Sequence, residues 1–142
     1  MTHFLLDTNI VSNPTRLHPH PAILKWLGDQ ETGDLFIASF TIGEIGKGIF
    51  QMAEGRKRNE LQTWFDGPGG PLSLFRGRIL PLDEASALEW AHLIADGFSI
   101  GKPRSGLDMI IAAIALANDC MLVTANERHF EGVIPFLNPA RD

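Results

Sequence analysis

The 142 residues allow one domain (1–142) with one sizeable core and no room for a second. Apolar residues make up 44% and charged residues 20%, with every charge run short, which excludes a disordered tail. A formal charge of −5 excludes a chain that holds nucleic acid through its overall field, so any phosphate contact must come from local basic clusters.

In chain order, Phe4-Leu5-Leu6 closed by the polar turn Asp7-Thr8-Asn9 reads as a buried parallel strand over His3 to Asp7. Pro21 opens a helix to about Gln30, and Leu35 to Ser39 forms a second strand. Thr41-Ile42-Gly43-Glu44 then starts a helix with Ile45, Ile49 and Met52 inward, which sets Glu44 in its first turn. A basic-then-apolar helix over Gly55 to Phe65 and a Gly/Pro loop follow. Arg78 to Asp83 reads as a short strand, at a sheet edge because of Pro81, and Asp83 or Ser86 caps a helix facing inward through Ala87, Trp90, Ala91 and Ile94. Leu107 to Asn118 is a strongly apolar helix with Asp108 in its first turn. Cys120 to Thr124 and Val133 to Leu137 are the last strands. Cys120 has no disulfide partner and reads as a buried thiol. With neither a membrane-length apolar run nor a signal-like segment, a cytoplasmic location is expected.

Strands alternating with helices imply the α/β class, a mostly parallel sheet covered on both faces. In such sheets ligand sites lie beyond the carboxyl ends of the strands, where Asp7, Glu44 and Asn126 fall. Asp108, starting the helix into the fourth strand, could join Asp7 and Glu44 on that rim. Converging carboxylates repel and call for a cation or a shared proton, and oxygen donors suit magnesium or manganese rather than zinc. Each acid also has a structural reading: Thr41-x-x-Glu44 is a capping-box pattern, Asp108 suits a helix dipole, and Asp7 could belong to a polar turn. Asp7 is the acid with the weakest capping explanation.

The motifs Phe4-Leu-Leu-Asp7-Thr-Asn9, Ala38-Ser-Phe-Thr-Ile-Gly-Glu44-Ile-Gly-Lys-Gly48, Leu107-Asp108-Met-Ile-Ile-Ala-Ala113 and Leu122-Val-Thr124-Ala-Asn126-Glu-Arg-His-Phe130 occur in this order nearly end to end. In them the chain resembles PIN-domain nucleases, among them VapC-type toxins of bacterial toxin–antitoxin pairs. The resemblance implies a three-layer α/β/α sandwich, RNA hydrolysis dependent on Mg2+ or Mn2+, products with 5′-phosphate and 3′-hydroxyl ends, dimerisation, and a cognate antitoxin protein. Asp7, Glu44 and Asp108 match the family's first three acids. Thr8, Ser39 and Thr124 match hydroxyl positions that orient the carboxylates, with Asn9 supporting them.

The departure is the fourth acid, which the family commonly places at position 126 or three residues later, where this chain has Asn126 and His129. Asn126 can accept a hydrogen bond or coordinate through its carbonyl but adds no charge, which leaves one metal or two open. His129 could meet a phosphate, donate a proton, or be a loop histidine without such a duty. Asp7 and Asp108 are therefore expected to hold the metal, Glu44 to complete its shell or orient the water, and Asn126 to support them. The basic clusters Arg56-Lys57-Arg58 and Lys102 with Arg104 are candidate RNA contacts, and Arg76 with Arg78 forms a third patch; all also read as solvated charge. Two competing readings are a PIN-like binding module without efficient catalysis, supported by Asn126, and an aspartyl phosphotransferase using Asp7, which lacks that chemistry's usual second Asp two residues on.

Overall fold

The computed structural model describes residues 2–141. Its sheet consists of β1 (Phe4–Leu6), β2 (Leu35–Ala38), β3 (Ile79–Leu80), β4 (Met121–Val123) and β5 (Phe136–Leu137). All neighbours are parallel, in the order β3-β2-β1-β4-β5. β1 is central, with Leu5 in register with Phe36 on one side and Leu122 on the other. The chain builds outward from β1 to β3, then returns to add β4 and β5. The strand order therefore reverses between β1 and β4, and the crevice beyond their carboxyl ends is the place such a sheet offers a ligand. β3 is an edge strand, as expected, but it ends at Leu80, one residue before Pro81.

Helices α1 (Thr8–Ser12), α2 (Pro21–Asp29), α3 (Ser39–Phe50), α4 (Arg56–Asp66), α5 (Pro71–Leu74), α6 (Glu84–Ser99), α7 (Gly106–Ala117) and α8 (Glu127–Phe130) cover both faces. Alternation along the strands divides the core. Leu5 and Leu122 join Leu93, Met109, Ile111, Ile114 and Phe130 from α6, α7 and α8. Leu6, Val123, Leu35 and Ile37 join Ile10, Ile23, Ile45, Ile49 and Phe65 from α1 to α4. Strands buried on both faces have no polar side to alternate with, which is why they read as unbroken apolar runs. Trp90 packs against the first cluster and Trp26 and Trp64 against the second.

Several local expectations change. The strands expected over 78–83 and 133–137 are only Ile79–Leu80 and Phe136–Leu137, and α3 ends at Phe50, before Met52. Asp7-Thr8-Asn9 is not a simple turn: the chain enters α1 at once, held by burial of Ile10 and Val11 despite weak helix formers. α3 begins at Ser39 after Ala38, so Glu44 lies beyond the first turn and the Thr41/Glu44 capping box does not form. Thr41 is instead fully buried, with its hydroxyl unpartnered among the described residues. On α6, Ser86, Leu93 and Gly97 face inward, with Trp90 and Ile94 partly buried, while Ala87 and Ala91 are exposed.

Asp83 is the α6 cap, its Oδ1 accepting from the Ser86 backbone N–H at 2.9 Å and the Ser86 hydroxyl at 2.8 Å. These bonds hold the Asp83 carboxyl below its usual range, led by the backbone N–H. A depressed carboxyl stabilises the fold above the unfolded value of about 3.9 and loses that contribution as pH falls through the lower folded value. Asp83→Ala is therefore expected to lower the melting temperature at neutral pH, with the gap to wild type closing in acid; melts across that range check this. Burial, with the Asp119 charge second, pushes the Cys120 thiol up, so it stays protonated at neutral pH.

Gly97 has a steric reason. A Cβ there would meet the Arg104 Cγ and the Lys102 carbonyl oxygen, each at 2.9 Å. The α6–α7 loop crosses over this position, pinned by Lys102 N–H to the Gly97 carbonyl at 2.9 Å and by the Arg104 guanidinium to the Leu93 carbonyl at 2.8 Å. Gly97→Ala is expected to cost about 1–3 kcal/mol by overpacking and to displace residues 102–104, measurable by denaturant unfolding.

Candidate active site

Asp7 follows β1 directly and is only 7% exposed. Its Oδ1 accepts the Thr8 backbone N–H at 2.8 Å, making it the N-cap of α1, a structural role that the polar-turn reading had not given it. Capping accounts for only one oxygen. Oδ2 accepts from the Asn9 amide at 3.0 Å and from the Thr124 hydroxyl at 2.7 Å, so residues beyond β1 and β4 hold one carboxylate across the switch point. Three donors on a nearly buried carboxylate fix its orientation.

The network spreads from there. Thr8 donates its hydroxyl to Glu44 Oε1 at 2.6 Å, which ties α3 to α1. Glu44 is thus engaged across the site, and not in a cap on its own helix. Asn9 Oδ1 accepts the Ala125 N–H at 2.9 Å, and Thr124 Oγ1 accepts the Asn126 N–H at 3.0 Å. The fully buried Thr124 hydroxyl therefore couples Asp7 to the loop after β4. Asn126 is exposed, at the start of α8, and its side chain makes no cap bond.

Asp108 reaches this rim from another direction. α7 runs into β4, so its first turn lies at the carboxyl end of the sheet, where Ser105 caps it by accepting the Asp108 N–H at 3.3 Å. The Asp108 Oδ1 stands 3.5 Å from His129 Nδ1, and the His129 backbone N–H bonds the Asn126 carbonyl at 3.2 Å. Contacts thus run from Glu44 through Thr8 and Asp7 to Thr124, Asn126, His129 and Asp108. Among the described residues, however, no three Asp, Glu, His or Cys side chains stand together as a closed metal cage.

Other expected residues fall outside the network. Ser39 is exposed and makes no side-chain hydrogen bond among the described residues. In the α4 cluster Arg56 pairs with Glu60 at 3.0 Å, Arg58 donates to the Met52 carbonyl, and Lys57 is exposed. Arg78 is structural, its guanidinium bonded to the Thr32, Leu35 and Leu74 carbonyls. Lys102 and Arg104 line the cleft that holds Asp108. Glu127 cannot replace the missing acid, because Asn138 at 2.6 Å and Arg141 at 2.7 Å occupy its two oxygens. The residue that reaches Asp108 is His129, whose pairing depends on α8, a single turn too short to leave a periodic signal.

A model of the PIN domain matches residues 4–133. The VapC ribonuclease Y4jK of Sinorhizobium fredii is 31% identical over 136 residues, covering 95% of this chain and 96% of the relative. Toxin FitB of Neisseria gonorrhoeae is 31% identical over 139 residues, covering 97% and 99%. The crystal structure of FitAcB from Neisseria gonorrhoeae superposes with a TM-score of 0.91 at 30% identity, covering 98% and 99% of the two chains. With a PIN-domain model matching residues 4–133 and relatives of about 30% identity covering nearly the whole chain in sequence and fold, the chain belongs to the PIN-domain family.

Proposed function

We propose that this chain is a magnesium-dependent endoribonuclease, the toxin of a toxin–antitoxin pair. The observation that carries the reading is the hydrogen-bonded rim in which the Asp7 carboxylate is clamped by Thr8, Asn9 and Thr124, with Glu44 tied to it through Thr8. A nearly buried carboxylate held by three donors is arranged for a cation at its remaining lone pair. The donor set is oxygen only, and its carboxylates do not close into a cage. That combination fits a magnesium or manganese ion that keeps several of its waters, with Asp7, Glu44 and Asp108 holding it. When bound, such an ion supplies charge neutralisation at the phosphate and lowers the pKa of an attacking water.

The residues have separate tasks. Asp7 is the rigid anchor, and Thr124 and Asn9 keep it from turning. Glu44 has only Oε1 committed to Thr8, so Oε2 is available to hold or accept a proton from a water. Asp108 closes the opposite side of the rim. Asn126 adds a neutral acceptor where the family resemblance leads one to expect an acid. The relatives named as a ribonuclease and a toxin support RNA as substrate. A structure of FitAB bound to a DNA fragment, at 30% identity, supports a partner protein; this chain would likewise pair with an antitoxin and form a homodimer. No described helix is long and apolar enough to cross a membrane, consistent with action on RNA in the cytoplasm.

Incubating the purified protein with end-labelled RNA and Mg2+ tests the proposal. Discrete fragments with 5′-phosphate and 3′-hydroxyl ends, abolished by EDTA, are expected; undiminished cleavage in EDTA would refute the metal-dependent mechanism. The exposed, uncharged Asn126 keeps a second reading in view, a binding module, for which the same assay would give RNA retention without fragments.

A further inference from the structure

A hydrolytic site made of carboxylates repels the strand it must cut, so phosphates need cations beside it. In a chain of net charge −5 those cations must be placed deliberately. The sequence offers several basic clusters, and the structure separates them. In the α4 cluster Arg56 is already paired with Glu60, and Arg58 donates to the Met52 carbonyl.

The cleft of about 370 Å³ between the α6–α7 loop and α8 is different. Lys102, Arg104 and Arg128 line it, together with Asp108 and His129, so its floor includes one of the proposed catalytic carboxylates. Lys102 and Arg128 are exposed, and among the described residues none of the three cations is in an ion pair. Glu131 is the one other acid in the lining. The loop is also held in shape: Arg104 is anchored to the Leu93 carbonyl, Lys102 N–H to the Gly97 carbonyl, and only glycine fits beneath them. Anchoring Arg104 by one N–H leaves guanidinium donors free to face the cleft. Ligand pockets begin at roughly 300 Å³, and this cleft falls within that range.

We propose that this cleft binds the RNA backbone next to the scissile bond, with Lys102 and Arg128 as its phosphate contacts and Arg104 as the anchored cation between them. Arg128, carried on α8 one residue before His129, couples strand position to the same helix that brings His129 to Asp108. The proposal rests on the nuclease reading. Its continuity with Asp108 favours a phosphate strand over an acidic segment of a partner protein, because a strand must pass from the cations to the carboxylates.

The test is fluorescence anisotropy with a labelled 12-nucleotide single-stranded RNA in EDTA, across a salt series, with cleavage in Mg2+ measured separately. Combining Lys102→Ala with Arg128→Ala is expected to weaken binding about tenfold at low salt and to reduce the magnitude of the salt slope by about 1.4, the share of two phosphate contacts on a single strand. Combining Lys57→Ala with Arg58→Ala should leave both unchanged. Lys102 and Arg128 make no side-chain hydrogen bonds among the described residues, and a Lys102→Gln, Arg128→Gln pair with an unaltered melting curve guards against a folding artefact. Unchanged affinity and slope in the double variants would overturn the proposal, as would an acidic peptide that binds more tightly than RNA through the same two residues. Wild-type binding that depends on Lys102 and Arg128 without cleavage in Mg2+ would support the cleft and refute the hydrolytic reading.

Discussion

Asp7→Asn is expected to lower the rate of RNA cleavage by at least about 10²-fold, the scale on which one preorganised electrostatic group contributes. The same change should cost about 1–3 kcal/mol of stability. The carboxylate accepts from Thr8, Asn9 and Thr124. An asparagine keeps one acceptor and turns an NH2 toward donors, so at least one buried bond is lost. Single-turnover cleavage and denaturant unfolding separate the two effects. Asp108→Asn provides the matching control, because its side chain is about one-third exposed and meets only His129, at 3.5 Å. It should lose activity on the same scale while its unfolding midpoint stays put. Full activity in both variants would remove the site.

Thr124→Val should be the second large effect. The Thr124 hydroxyl is fully buried, donates to Asp7 at 2.7 Å and accepts the Asn126 N–H at 3.0 Å. Valine fills the volume but leaves the Asn126 N–H without its acceptor and takes one of three donors from Asp7, at a cost of about 1–3 kcal/mol. It also frees the anchoring carboxylate to turn, and losing such an orienting partner commonly costs about 10–100-fold in metal affinity or activity. Thr124→Ser should restore most of both. If Thr124→Val loses stability but keeps full activity, Thr124 is a structural bridge only.

The positions of the strands were legible because a sheet covered on both faces leaves no polar alternation, as in Leu122-Val123 and Phe36-Ile37. Their spatial order was not, since each strand's neighbours are set by crossovers that leave no local trace. Asp7 could be read as a strand-end acid, but its capping of α1 was hidden by the weak helical character of Thr8–Ser12, which tertiary burial overrides. At Glu44 the opposite happened. A capping-box pattern offered a local explanation that the backbone removes by becoming helical at Ser39, and what remains is a bond to Thr8 from 36 residues away. Ser39 matched a motif by position, yet its side chain faces out. Ala87 and Ala91 face out because the inward stripe of α6 runs through Ser86, Leu93 and Gly97, two of which a count of apolar residues does not register.

The central claim is that Asp7, Glu44 and Asp108 together hold a divalent metal. Titrating metal-free protein with Mn2+ and following the free ion by electron paramagnetic resonance tests it most directly. Saturable binding by the wild type is predicted, weakened at least about tenfold by either Asp7→Asn or Asp108→Asn, the lower end of what displaced metal-site groups cost. Wild-type protein that leaves all the manganese free, or equal affinity in all three proteins, would contradict the account.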